Sequence, residues 1–123
     1  MDYAVSYRER ERSSSRLKRI FVYGRSLGGA VSIYLASTHY KTIICGMILE
    51  NTFASLKEVL LDILPWFPFI AFFGGKQWNS RELISTIEMP MLFVRSMEDR
   101  LVAPWQMLEL MKSAARCQLK VDY

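Results

Sequence analysis

Gly24-Arg25-Ser26-Leu27-Gly28 sets a serine two residues from a glycine on either side, directly after the apolar run Ile20-Phe21-Val22-Tyr23. The pattern is G-x-S-x-G, which suits a nucleophilic serine on a sharp turn between a strand and a helix. Such a turn holds the serine in a strained backbone conformation and lifts its hydroxyl clear of the sheet. Small residues two positions away, here Gly24 and Gly28, let strand and helix approach without clashing. The backbone N–H of Leu27 then lies at a helix N-terminus, aimed at a developing oxyanion. The chemistry implied is attack on a carbonyl, with Ser26 as nucleophile. A bare G-x-S-x-G recurs by chance, but the β-prone run before it and a helical stretch over 27–37 after it supply the setting it needs.

A nucleophilic serine needs a general base and an acid that orients the base. The chain has one histidine, His39, one or two residues past the elbow helix. A helix of about ten residues carries it roughly 15 Å from Ser26, so it reads as an exposed or half-exposed residue near a helix C-terminus, where positive charge is welcome. The chain therefore shows a nucleophile without its base. For the acid, Ser96-Met97-Glu98-Asp99 offers Asp99, with Glu98 in reserve. The competing reading is two exposed loop acids.

The elements that must position these groups alternate along the chain. The spacing predicts a helix over 2–12, a strand over Ile20–Tyr23, a helix over Leu27–Ser37 and a strand over Ile43–Leu49 broken only by Gly46. A helix over Ala54–Leu64 follows, with Phe53, Leu56 and Leu60 marking its apolar face. Asn79 is expected to cap a short helix through Thr86. Then come a strand over Met91–Val94, a helix from Pro104 to about Arg116 and a strand over Gln118–Val121. Strands alternating with helices and apolar on both faces predict a parallel sheet covered by helices. In such a sheet chemistry gathers at the carboxyl ends of the strands. Ser26, Glu50-Asn51-Thr52 and Ser96 to Asp99 all fall on that edge.

Composition narrows the classes. The chain has 123 residues, 51% of them hydrophobic, enough for one small domain with a core. Its net charge is +4, concentrated in residues 1–19, which read as a solvated basic helix and loop. No stacking aromatics are interleaved with those charges, so no nucleic-acid partner is expected. Cys45 and Cys117 form neither a C-x-x-C pair nor a metal spacing, and neither a disulfide framework, a metal nor a cofactor is expected. Cys45 reads as a buried free thiol. The polar start of the sequence reads as neither a signal peptide nor an anchor, and none is expected within residues 1–123. The apolar stretch from Val59 to Gly75 is broken by Asp62, Pro65 and Pro68. Its uninterrupted part is about half of the ~20 residues that span a bilayer. It reads as a core helix with an apolar loop or cap, or alternatively as a contact for lipid or an acyl chain through Trp66, Phe67, Phe69, Phe72 and Phe73.

With these residues in hand, the chain resembles a piece of an α/β-hydrolase, nearest the group of α/β-hydrolase domain-containing protein 13 and related to depalmitoylating members of the superfamily. The matching stretches are Ile20 to Ala36, Met47 to Phe53 and Met89 to Val102. Within the third, Asp99 stands at the family's acid position, although Ser96 replaces a usual glycine and Pro104 falls one residue late. The resemblance implies a partial α/β-hydrolase fold: a mostly parallel sheet of about four strands with helices mainly on one face. It implies a serine hydrolase acting on esters or thioesters, with acylated proteins or lipid acyl groups among its substrates. It also places the catalytic histidine on a loop beyond residue 123, with further strands and a membrane anchor upstream. On this reading residues 1–123 are a single partial domain, truncated at both ends and inactive alone. Membrane association is suggested by the family only, and localisation stays open. The alternative is a degenerate or truncated copy without catalysis.

Overall fold

Apolar runs four to seven residues long, separated by helical stretches, require a sheet whose strands are joined by crossovers. The computed structural model describes residues 19–38, 40, 42–64, 66, 69, 79–114 and 117–123. The helix expected over 2–12, and His39, lie outside the described residues. Four strands, β1 (Ile20–Arg25), β2 (Ile44–Glu50), β3 (Met91–Arg95) and β4 (Cys117–Asp122), form one sheet, parallel throughout, in the order β1-β2-β3-β4. Among the described residues the helices are α1 (Leu27–Ser37), α2 (Leu56–Ile63), α3 (Ser80–Ile84) and α4 (Pro104–Ser113).

Strand order equal to chain order has a consequence. Every parallel step moves the same way across the sheet, so right-handed crossovers place every connecting helix on one face. Packing agrees: α1 lies on β1 and β2, α4 lies on β3, and α3 contacts both α1 and α4. Beneath this layer runs the main core, with Ile33 and Ala36 from α1, Met47 and Leu49 from β2, Ile84 from α3, Met91 and Phe93 from β3, and Leu110 from α4. Register aligns Met47 with Met91 and Leu49 with Phe93, so neighbouring strands send paired side chains to the helix side. The intervening residues point to the other face. There Phe21 is 61% exposed, Tyr23 57% and Val121 48%. A Cβ on Gly46 would fall 2.9 Å from the Phe21 ring, so the glycine in β2 leaves room for that ring to lie across the strand.

Several boundaries differ from expectation, each for a local reason. Helix α2 starts at Leu56 because the backbone of Ala54 is committed elsewhere: its N–H donates to Gln106 Oε1 (2.9 Å) and its carbonyl accepts from Arg81 N–H (2.9 Å). Phe53 therefore precedes the helix and packs with Ala30, Val59 and Val102 in a smaller cluster. Asn79 occupies the cap position of α3, yet its side chain donates to Glu82 Oε2 (3.2 Å) instead of capping. That helix ends at Ile84, and turn bonds from Thr86 and Ile87 close it. Helix α4 begins at Pro104 and stops at Ser113, where Ala114 turns extended to lead into β4. Cys45 is half-buried and a free thiol.

Candidate active site

The serine at the end of β1 is bent into a conformation that side chains avoid. Ser26 has φ 51° and ψ −123°, which costs on the order of 1–3 kcal/mol and persists only where the surroundings over-determine it. They do so here. Ser26 N–H donates to the Glu50 carbonyl (3.0 Å), and its own carbonyl accepts from Gly29 N–H (3.0 Å) and Thr52 Oγ (2.6 Å). The residue is exposed at the strand's carboxyl end. Leu27 follows as the first residue of α1, where the N–H has no intrahelical acceptor and carries the positive end of the helix dipole. One anion donor therefore stands beside the serine.

The close approach of strand and helix is made at Gly24 and Gly29. A Cβ on Gly24 would fall 2.4 Å from the Gly28 carbonyl oxygen and 2.6 Å from Gly29 Cα. On Gly29 it would fall 2.5 Å from the Thr52 side chain, whereas on Gly28 it would meet nothing within 4 Å. The motif's second glycine is thus the spacious one, and the steric need passes to its neighbour.

Asp99 lies in the loop after β3, half-buried. Its Oδ1 accepts from Leu101 N–H (2.8 Å) and Val102 N–H (2.9 Å). Two backbone donors hold the carboxylate still and leave Oδ2 for another partner. Glu98, the reserve acid, is exposed. Asp99 also lines an open groove of about 600 Å³ with Asp62, Ile63, Leu101, Pro104 and Trp105.

The structure adds a cluster that the residue pattern did not single out. Glu50, at the end of β2, accepts hydrogen bonds from Tyr23 OH and from Tyr123 OH (3.0 Å), and Arg25 Nε lies 3.7 Å from its Oε1. The Tyr23 bond foremost, then the Tyr123 bond and the Arg25 charge, hold the Glu50 carboxyl below its ordinary value against an opposing effect of burial. The same bond to Glu50 raises the Tyr23 phenol, helped by partial desolvation and the carboxylate's charge. Asn51 has φ 42° and joins the cluster through Nδ2 to Tyr123 OH (3.2 Å). The polar triplet Glu50-Asn51-Thr52 at a strand end was a visible signal. Tyr123 gave none, because only the register of β4 brings it there. Among the described residues no group of His, Cys, Asp and Glu is arranged to hold a metal, and no helix is long and apolar enough to cross a membrane.

No protein-family model matches the chain. It is 34% identical over 106 residues, 85% of its length, to an uncharacterized membrane protein of Saccharomyces cerevisiae, of which this covers 37%. It is 36% identical over 109 residues, 79% of its length, to the α/β-hydrolase domain-containing protein WAV2 of Arabidopsis thaliana, covering 35% of that protein. The chain thus spans about a third of the length of the curated relatives it matches. In structure it is similar to a lipase/esterase from Lactobacillus plantarum, with a TM-score of 0.70 at 14% identity over 97% of this chain and 56% of that one.

Proposed function

We propose that this chain, which belongs to the α/β-hydrolase superfamily, carries the nucleophile and the acid of a serine hydrolase that cleaves ester or thioester bonds. The observation that supports this most is Ser26 itself: exposed, at a helix N-terminus, and held in a strained conformation by three hydrogen bonds. Ser26 Oγ attacks the substrate carbonyl carbon and passes its proton to an imidazole. The carbonyl oxygen becomes an oxyanion that takes a hydrogen bond from Leu27 N–H. Collapse breaks the bond to the alcohol or thiol, which leaves with the imidazole's proton, and water then hydrolyses the acyl-serine. Asp99 orients the imidazole and stabilises its charged form. That imidazole comes from outside the described residues; the resemblance places it after β4. An apolar acyl substrate, on a protein or a lipid, fits the exposed Ile63, Leu101 and Trp105 along the Asp99 groove.

The test is labelling with a fluorophosphonate probe, in this chain and in the longest polypeptide that carries it. Labelling at Ser26 is expected to be slow in this chain, fast in the longer polypeptide that supplies the imidazole, and lost from both in Ser26→Ala. In the longer polypeptide Asp99→Asn is expected to lower turnover by about 10⁴-fold, with Glu98→Gln close to unmodified. Equal labelling after Ser26→Ala sinks the reading and leaves a non-catalytic binding role.

A further inference from the structure

Glu50, Asn51 and Thr52 leave β2 together, and they divide their bonds between two sites. Glu50 and Thr52 both reach Ser26: the Glu50 carbonyl takes its N–H (3.0 Å), and Thr52 Oγ donates to its carbonyl (2.6 Å). Asn51, between them, reaches the other way. Its N–H donates to the Val94 carbonyl (3.1 Å), and its Oδ1 accepts from Ser96 N–H (2.7 Å), the first residue of the Asp99 loop. Its Nδ2 donates to Tyr123 OH (3.2 Å). Tyr123 in turn holds that loop from the far side: its N–H donates to the Arg95 carbonyl (3.0 Å), and its carbonyl accepts from Met97 N–H (2.9 Å). The loop is thus pinned at Ser96 from β2 and at Met97 from the end of β4, two to three residues ahead of Asp99.

The residue type matches the task. Asn51 is 4% exposed, with φ 42°. Asparagine is among the few residues other than glycine that enter this left-handed region readily. Glycine would adopt the bend with no side chain to reach Ser96. Aspartate would keep an acceptor for that N–H but lose the donor to Tyr123. Only asparagine offers the bend, the acceptor and the donor together.

We propose that Asn51 is a positioning residue that fixes the Asp99 loop against the Ser26 elbow. The proposal rests on the hydrolase reading above, because it gives Asp99 its role. Asn51 touches neither substrate nor the reacting atoms. It acts through the loop, so its loss changes turnover more than substrate binding.

The experiment compares Asn51→Gly and Asn51→Asp in the longest polypeptide that carries this chain. It reads hydrolysis of a p-nitrophenyl ester, hydrogen exchange at the Ser96 amide, and the thermal midpoint. Asn51→Gly is expected to lower kcat about tenfold or more, leave KM within about twofold, and speed Ser96 exchange about tenfold. Asn51→Asp, which retains the acceptor, is expected to recover Ser96 protection and most of the lost kcat. If Asn51→Gly does not fold, Tyr123→Phe removes the hydroxyl that accepts from Asn51 Nδ2 and donates to Glu50, and a fall in kcat of about threefold with KM unchanged, together with faster Ser96 exchange, is expected. Absence of Ser26-dependent turnover in the unmodified protein overturns the hydrolase reading, and the proposal with it. Turnover that survives Asn51→Gly, or falls without faster Ser96 exchange, overturns the positioning role alone. So does an unchanged kcat in Tyr123→Phe where that variant is the one that folds.

Discussion

At the scale of single residues, three glycines lie around one serine and do different work. Gly24 cannot accept a methyl group without moving backbone, since the atoms in the way are the Gly28 carbonyl oxygen and Gly29 Cα. Gly29 cannot accept one without displacing Thr52, whose hydroxyl holds the Ser26 carbonyl at 2.6 Å. Gly28 has open space around its α-carbon. Overpacking of this kind costs about 1–3 kcal/mol, whereas alanine for glycine inside a helix gains up to about 1 kcal/mol. Gly24→Ala and Gly29→Ala are therefore expected to lower the urea midpoint clearly, and Gly28→Ala to leave it level or raise it. Equal losses at all three positions would show that the motif glycines matter through something other than space. The pattern G-x-S-x-G points to Gly28 because it counts residues. Contact depends instead on which residue of the first helical turn faces β2, and that was not legible before the fold.

Strands and helices were legible wherever one local preference agreed with burial. Helix α1 runs over Leu27–Ser37 as expected, since an elbow starts it and local backbone bonds from Thr38 and Tyr40 N–H to carbonyls of its last turn close it. The strands were located from their apolar runs, yet each of the first three extends through a charged residue at its carboxyl end: Arg25, Glu50 and Arg95. Hydropathy stops at such residues, whereas the hydrogen-bond ladder continues because their partners are on the adjacent strands. Arg95 meets Asp122 on β4 in two bonds of 2.9 and 3.1 Å, and Glu50 meets Tyr23 on β1. These cross-strand ties make a prediction about pH. Glu50 titrates below its ordinary 4.5 when folded, so its contribution is complete above 4.5 and disappears as pH falls through the lowered folded value. Tyr23 titrates above its ordinary 10.0, so its contribution is complete below 10.0 and disappears as pH rises through the raised folded value. Glu50→Gln, which removes the carboxylate that titrates on the acid side and raises the Tyr23 phenol on the alkaline side, is expected to flatten both limbs of the stability profile. Urea midpoints measured across pH would check this, and unchanged limbs would show that the tie contributes nothing.

At the scale of the whole molecule, a sheet layered by helices on one side has its other side to account for. Phe21, Tyr23, Ile48, Leu92, Val94 and Val121 share that face by register, and the outer members are the exposed ones. Among the described residues β1 and β4 are each paired along one edge only. An open apolar face and an unpaired apolar edge are both surfaces on which chains associate. Hydrophobic burial is the main favourable contribution to folding, and among the described residues it is collected on the helix side of the sheet. A polypeptide of residues 1–123 alone is therefore expected to unfold at low urea and to self-associate as concentration rises. Sedimentation and light scattering over a concentration series would measure this. Phe21→Lys with Val121→Lys places two like charges on the open face without touching Ser26, Asn51 or Asp99. That pair is expected to reduce association while leaving Ser26 labelling in place. A monomer that unfolds cooperatively at the same urea concentration whatever its own concentration would show that the open face is not a liability, and that the single helix layer suffices to hold the elbow.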